Sequence, residues 1–556
     1  MSGTISTIQT NLSLVGKLAT FFATSTIVLP AIALVSFFMF ELLSTSRSPA
    51  IERNIMRYSI ATYTLSLLSA LLAVVFFSLS PNQFMDMHVV ESQMASVFSV
   101  SSYHFELGIL IDHYSLAYLS LIHLLCLAIA SFSSRYLIQE PNGTIFWKLL
   151  MLFGMSLSLL TLAHTLDLLF VGWEMVGISS ALLIAFYKER FEPVKHSLMA
   201  FSVYRVCDIG LLLAIVVLHH STHSGDLLAY MSNRHADHLK HGATLLGLLL
   251  LFASMGKSAQ YPFLSWLPRA MEGPTPSSAI FYGALSVHAG AYLLIRTSPL
   301  WDSSSVVQIV MLIIGLMTTT IGNLSGRTQT DVKSKIAFGV IAQVGLIFIE
   351  ISLGFYNVAM FHIWGHAVLR TLQLLRAPST LDDILNVENK LGTVRQQNPW
   401  LLQKILTEDQ CRVVYRFAVE RAWTDYFAFA FTNQIKKLLR SLQWVEHKMA
   451  NLFDHGPEER VRELPEFKGN LIDLGFIDDV SDEFGVTASN LSQQVAIVVE
   501  QIQQKDSQKP TMIQKAKSKL QKKIKTKFGN KRAHKISLSP FSWFKHKIET
   551  QKGDQQ

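Results

Sequence analysis

Charge is scarce in this chain. Only 16% of its 556 residues are Asp, Glu, Lys or Arg, against 50% hydrophobic, a balance that excludes disorder over most of the length. Cysteine is scarcer. Cys126, Cys207 and Cys411 lie far apart and two fall inside apolar runs, so neither a disulfide framework nor a cysteine metal site is indicated. There is no Gly-x-Gly-x-x-Gly, no Gly-x-x-x-x-Gly-Lys-Ser/Thr loop and no Cys-x-x-Cys. The signatures of dinucleotide, ATP and iron–sulfur binding are therefore missing, and an ion gradient or a partner is the expected energy source. No small-residue cleavage site follows the first apolar run, which starts late and is long, so it reads as a mature helix and not a signal peptide.

What the chain has is apolar length. A span needs about 20 apolar residues to cross about 30 Å of hydrocarbon. Eleven stretches qualify, near 18–43, 56–79, 107–133, 148–163, 165–187, 200–220, 242–262, 276–296, 304–322, 336–350 and 354–375. The fold class expected is an all-α polytopic membrane protein over residues 1–375. A polar, mostly helical cytoplasmic segment follows over 376–510, then a basic tail over 511–556. Arg47, Arg53, Arg57, Arg135, Lys148, Lys188, Arg190, Lys195, Arg327, Lys333 and Lys335 fall in turns on one side, whereas the loop 80–104 on the other side has no Lys or Arg. The positive-inside rule then puts the N-terminus outside and the C-terminus in the cytoplasm of a bacterial inner membrane. Arg234 and Lys240, in the loop 221–241, run mildly against it.

The few charges inside the spans are grouped. Ionisable groups at membrane depth are costly and are functional candidates by default. His164 and Asp167 lie three apart in the fifth span and Glu174 seven further on, a spacing that puts them on one helix face. Glu174 is a proton-carrier candidate; the alternative is an ion pair tethering two helices. Arg205 and Asp208 lie three apart on the next span. Arginine keeps its proton, so it serves as a fixed countercharge, or the pair is purely structural. Lys257 begins a stretch broken by Pro262, Pro268, Pro274 and Pro276. Proline removes a backbone donor, and broken backbone at membrane depth survives only against protein or water. Burial favours a neutral lysine and a nearby carboxylate a charged one, so Lys257 can alternate; the plain reading is a snorkelling lysine. His288 follows the break. His362, His366 and Arg370 recur at i, i+4, i+8. Histidine suits a relay at neutral pH, and the alternatives are satisfied structural histidines or a metal pair lacking a third ligand. His113 with Asp112, and His123, are weaker candidates of the same kind.

The quoted residues resemble the antiporter-like subunits of respiratory complex I, the large distal one in particular. The matching stretches are Trp173-Glu174-Met175-Val176-Gly177, Phe201-x-Val203-x-Arg205-Val206-x-Asp208, Gly256-Lys257-Ser258-Ala259-Gln260, the run from Trp266 to Pro276, and Phe361-His362-x-x-x-His366. The resemblance covers about residues 105–375. It implies a helical bundle with a broken helix and a proton path through Glu174, Lys257, His288, His362 and His366, with His164, Asp167, Arg205, Asp208 and Arg370 as supporting charges. Three departures stand out. Tyr282 replaces the family's histidine after Pro-Thr-Pro, Arg370 replaces a lysine, and a polar segment replaces the family's last spans.

That shortened form is similar to DabB, the membrane-subunit family of the bacterial two-component DAB inorganic-carbon transporters. This similarity implies an ion-conducting subunit with no cofactor of its own. It would couple the gradient to CO2 hydration by a large cytosolic, carbonic-anhydrase-like zinc partner, DabA. A complex I-type or cation/proton antiporter subunit and a non-conducting scaffold are the alternatives. In the polar segment, 411–448 carries Trp423, Tyr426, Phe427, Phe429, Phe431 and Trp444 with interleaved Lys436, Lys437 and Arg440. It reads as an amphipathic helix on the membrane or on a partner, or as the core of a small helical domain. Lys515 to Lys547 holds twelve Lys or Arg, suited to anionic lipid or a partner face and not to nucleic acid in this setting.

Overall fold

A computed structural model describes residues 13–43, 49–222, 239–391 and 407–424 with Gly225 and Leu227, apart from positions 82, 85, 86, 101, 102, 139 and 141. The chain divides into two units, Met1–Asp454 and His455–Gln556; every described residue belongs to the first. The basic tail, the acidic stretch before it and most of the loop 221–241 lie outside the described residues.

Eleven membrane helices organise the first unit: α1 (Leu14–Leu43), α2 (Pro49–Leu79), α3 (His113–Tyr136), α4 (Gly143–Leu162), α5 (Leu166–Ile184), α6 (Phe191–Thr222), α7 (Leu239–Lys257), α8 (Thr275–Arg296), α9 (Ser305–Thr328), α10 (Val332–Ser352) and α11 (Tyr356–Leu391). Among the described residues nine of these are long and apolar enough to cross a membrane. The shorter α7 and the histidine-bearing α11 complete the expected eleven. Helices α1 and α2 are apolar all round and bury about a third of their spanning windows, as helices facing lipid do. The whole of α8 is buried. It packs on α7, α3, α10 and α11 and forms the axis of the bundle.

Two sequence boundaries need correction. The third span was expected from 107, but Tyr103–Ile111 is a strand paired antiparallel with Val90–Val100; a shorter strand pair, Gln83–Phe84 with Met87–His88, precedes it. Ile109, Leu110 and Ile111 are buried like span residues, so the apolar run continues unbroken from hairpin into helix. Asp112 separates the two. Its carboxylate accepts from Ser115 N at 2.7 Å while Ser115 Oγ accepts from Asp112 N at 2.9 Å, a reciprocal cap that starts α3. The seventh span was expected to reach 262 but ends at Lys257.

The break expected there is present. After α7 come turns, a single helical turn at Trp266–Arg269 and a 3₁₀ turn at Ala270–Glu272. Helix α8 opens with one α turn, runs as a π-helix from Ser278 to Leu285, and returns to α geometry at Ser286. Such a segment is rare and frequently marks a functional site. The segment is tied to its neighbours in both directions: Tyr118 Oη of α3 donates to Leu285 O at 2.8 Å, and the segment's own Tyr282 Oη donates to Ser180 O of α5 at 2.5 Å. Gly290 permits the close approach of α7, since a Cβ there would lie 2.2 Å from Ser258 Oγ and 2.7 Å from Ser254 O.

Helix α11 runs past 375 to Leu391 without interruption. The stretch 411–448 is described only to Thr424. There α12 (Glu408–Val419) packs against α9, with Phe417 and Ala422 joining the main core and Arg421 over the Phe338 ring at 5.7 Å.

Candidate functional site

The five residues expected to form a path fall into two clusters, one among α5, α6 and α7 and one that includes α8. The first joins α5, α6 and α7. Arg205 pairs with Glu174 and, at 2.8 Å, with Asp208 Oδ2. The other Asp208 oxygen accepts from Trp173 Nε1 at 2.5 Å. Lys257 Nζ donates to the Trp173 carbonyl at 2.5 Å and lies 4.3 Å from the centre of that indole ring. Trp173 thus bridges the aspartate and the lysine, one through its side chain and one through its backbone. Lys257 is 1% exposed and Asp208 3%, whereas the Arg205 side chain is 35% exposed midway along α6. Gly177 faces the gap between the cations: a Cβ there would stand 3.4 Å from Arg205 and 3.5 Å from Lys257. The Gly256 carbonyl, released where α7 stops, accepts from Trp266 Nε1 at 3.0 Å. Two negative and two positive groups share this site, so the cluster is neutral as a whole.

The second cluster joins α8, α10 and α11. His288 Nε2 meets His366 Nδ1 at 3.0 Å, and His288 Nδ1 is bonded to Ala284 O. Arg370 Nε donates to His366 Nε2 at 3.1 Å. One turn nearer the hairpin face, His362 Nδ1 lies 2.8 Å from Glu350 Oε1 and its Nε2 3.1 Å from Gln343 Oε1. Neither Gln343 nor Glu350 was singled out from sequence.

Among the described residues no hydrogen bond joins Lys257 to His288. Their neighbours do touch, Ser258 Oγ donating to Val287 O at 2.7 Å. Gln260 Oε1, Ser278 Oγ and Ser286 Oγ, in this same broken region, are buried without a protein partner. Buried polar atoms of this kind are normally completed by water, so the interior between the clusters is polar enough to carry one. Tyr282, which stands where the family resemblance predicts histidine, is edge-on to Trp266 at 5.8 Å on the lysine side and does not reach the histidine pair.

The expected shared face of His164, Asp167 and Glu174 is corrected. Thr165 is extended and caps α5, its Oγ1 accepting from Leu168 N at 3.2 Å, so His164 precedes the helix. It pairs with Glu91 of the hairpin at 2.5 Å, while Asp167 pairs with His219 at 2.9 Å. At 1.5 Å per residue, Asp167 is about 10 Å along the axis from Glu174. A second contact there was not anticipated: Arg296, at the end of α8, pairs with Asp112 at 2.5 Å and donates to Leu110 O at 2.8 Å. It ties the axis helix to the hairpin.

Comparison with known proteins agrees with this architecture. Residues 163–401 match the family described as NADH:quinone oxidoreductase/Mrp antiporter, TM. The chain is 36% identical over 271 residues to NADH-ubiquinone oxidoreductase chain 5 of Neurospora crassa, 48% of this chain and 38% of that protein. It is 32% identical over 300 residues to NAD(P)H-quinone oxidoreductase chain 5 of Synechocystis, 53% of this chain and 44% of that one. The aligned region thus spans about two-fifths of the curated relatives' length. Among solved structures, the Mrp complex from Dietzia sp. superposes with a TM-score of 0.54 at 24% identity over 70% of this chain and 39% of that one. The membrane-bound sulfane sulfur reductase, an archaeal respiratory membrane complex, gives 0.54 at 18% over 73% and 81%. Fold and relatives together show an integral multi-pass membrane protein that is similar, over residues 163–401, to the complex I and Mrp antiporter-like family.

Proposed function

We propose that this chain is the proton-conducting membrane subunit of a two-component inorganic-carbon uptake system. The observation that carries the conduction reading is the buried lysine itself: Lys257 sits in a neutral four-charge cluster at a helix break, and a histidine pair lies just beyond. A permanent structural tether needs only one fixed pair. Here a removable charge, Lys257, is held by a carbonyl and a ring face, contacts that a lysine can leave. A proton would enter at Glu174, pass Lys257, and continue through His288 and His366 to His362.

The carbon-uptake part rests on the likeness to DabB. The bundle is followed by some 180 residues with no further spanning stretch, and the run from Pro276 to Gly290, with Tyr282 and His288, resembles that family. In this reading CO2 hydration belongs to DabA, the zinc-containing cytosolic partner, and the chain has no catalytic site of its own. The names of the relatives favour a second reading, a subunit of a quinone-oxidoreductase-type assembly. Expression in cells lacking carbonic anhydrase separates them. Growth in ambient air should return with this chain plus DabA, and fail with either alone or with Lys257→Ala in the pair. Rescue by the chain alone, or no rescue by the intact pair, would discard the carbon-uptake reading.

A further inference from the structure

We infer that Glu350 is the terminal proton-binding group of the path and forms its mouth on the hairpin face, paired with His362. The inference rests on the conduction reading above and adds to it where the ion leaves or enters.

Three observations point there. The first is direction of hydrogen bonding. Arg370 is always a donor. Its Nε donates to His366 Nε2, so that nitrogen is bare and the His366 proton sits on Nδ1. That proton is given to His288 Nε2, which leaves the His288 proton on Nδ1 facing Ala284 O. Both rings are neutral and fully committed. His362 differs, because both of its nitrogens face oxygen, Glu350 Oε1 on one side and Gln343 Oε1 on the other. His362 thus has one nitrogen on a carboxylate and the other on an amide that can present either its oxygen or its NH2, so this ring can carry its proton on either nitrogen. The His362–Glu350 pair is therefore the part of this cluster whose hydrogen bonding leaves a proton free to exchange.

The second observation is access. His288 is fully buried and His366 is 5% exposed, but the side chains of His362 and Glu350 are 22% and 24% exposed. Exposure rises along the line and is greatest at Glu350. Glu350 is two residues from the end of α10 at Ser352, and His362 is about 9 Å along α11 from its start at Tyr356. That end of α11 is the hairpin face, since Asn357 Oδ1 accepts from Tyr114 Oη at 3.1 Å beside the cap at Asp112.

The third is cost. A carboxylate in the last turn of a helix meets the negative end of the macrodipole and is disfavoured there. Glu350 Oε2 is, in addition, buried with no protein partner. A group placed at two disadvantages in an apolar helix needs a use beyond packing. Proton release takes one step: the His362 Nδ1–H bond breaks, the Glu350 Oε1–H bond forms, and the acid then ionises to the hairpin side.

The test uses the full chain with its partner in liposomes, an internal pH dye, and an imposed potassium diffusion potential. Glu350→Gln should lower proton flux by about 10²-fold, the low end of what a positioned proton-transfer group contributes, at unchanged membrane level. Glu350→Asp, which keeps the carboxylate, should retain more flux than the glutamine variant. Wild-type flux that is absent, or unaltered by Lys257→Ala, would overturn the conduction reading itself. Flux abolished by Lys257→Ala but normal in Glu350→Gln, or equal loss in the Asp and Gln variants, would overturn the role of Glu350 alone. In a Cys411→Ser background, Glu350→Cys should react with a membrane-impermeant methanethiosulfonate from the same side as Ser92→Cys in the hairpin. Labelling from the opposite side only would contradict the placement of the mouth.

Discussion

Charge balance in the first cluster gives a test that separates a tether from a carrier. Glu174 and Asp208 contribute two negative charges, Arg205 and Lys257 two positive ones. Lys257→Met leaves one excess negative charge among groups that are 1–3% exposed at their centre. Breaking a buried charge set by removing one partner costs about 3–5 kcal/mol. Arg205 is 35% exposed, so solvent screens part of the imbalance and the lower end, about 3 kcal/mol, is expected. Adding Asp208→Asn restores neutrality, and residues sharing one network couple by about 0.5–3 kcal/mol. The double variant should therefore recover much of the lost stability. In a Cys411→Ser background, unfolding can be followed in detergent with a thiol-reactive dye, because the remaining Cys126 and Cys207 are buried and react only on opening. Proton flux should be lost in the single variant and stay lost in the double. A double variant that is no more stable than Lys257→Met would refute the balanced-cluster argument, and one that recovered flux as well would show that Lys257 carries no proton.

Two further outcomes follow from packing. Gly290→Ala should cost about 1–3 kcal/mol by overpacking, because the added Cβ meets Ser258 Oγ and Ser254 O well inside contact distance; wild-type folded yield and thermal midpoint would show that α7 and α8 can part freely. Tyr282→Phe should lower stability by about 1 kcal/mol, through the lost hydrogen bond to the Ser180 carbonyl, with proton flux preserved; a large loss of flux at normal stability would make Tyr282 part of the path.

How much of this was legible in the sequence depended on the range of the contact. The spans could be read from apolar length, and the break from four prolines after Lys257. His362, His366 and Arg370 share a face because i, i+4, i+8 lie along one helix. The same logic failed for His164, where Thr165 starts α5 and throws the preceding residue off the helix. It also failed at 103–111, where an apolar strand runs into an apolar helix and only the Asp112 cap divides them. Trp173 with Asp208, Arg296 with Asp112, and His362 with Glu350 are pairings between helices, which no single periodicity encodes. Glu350 escaped notice for a further reason: a lone carboxylate near the end of a span reads as a solvated terminus until its partner is known.

On the proposed path each cluster pairs a fixed arginine with groups that can give up a proton, a lysine in one and histidines in the other. In the first, the fixed charge is Arg205, which holds both carboxylates in place while Lys257 remains the removable one. In the second, the fixed charge is Arg370, and it donates to His366 without exchanging a proton. An arginine at that position cannot relay, but it can fix which nitrogen of His366 is bare, and through that ring the tautomer of His288. For a proton to advance from Lys257 into His288, the Arg370–His366 bond or the His288–Ala284 bond must first let go. On the proposed path, resting order in the histidine pair would act as a gate between the lysine side and the hairpin side, and would keep the Lys257 cluster and the His362–Glu350 pair from sharing a proton continuously, as coupling of flow to work requires.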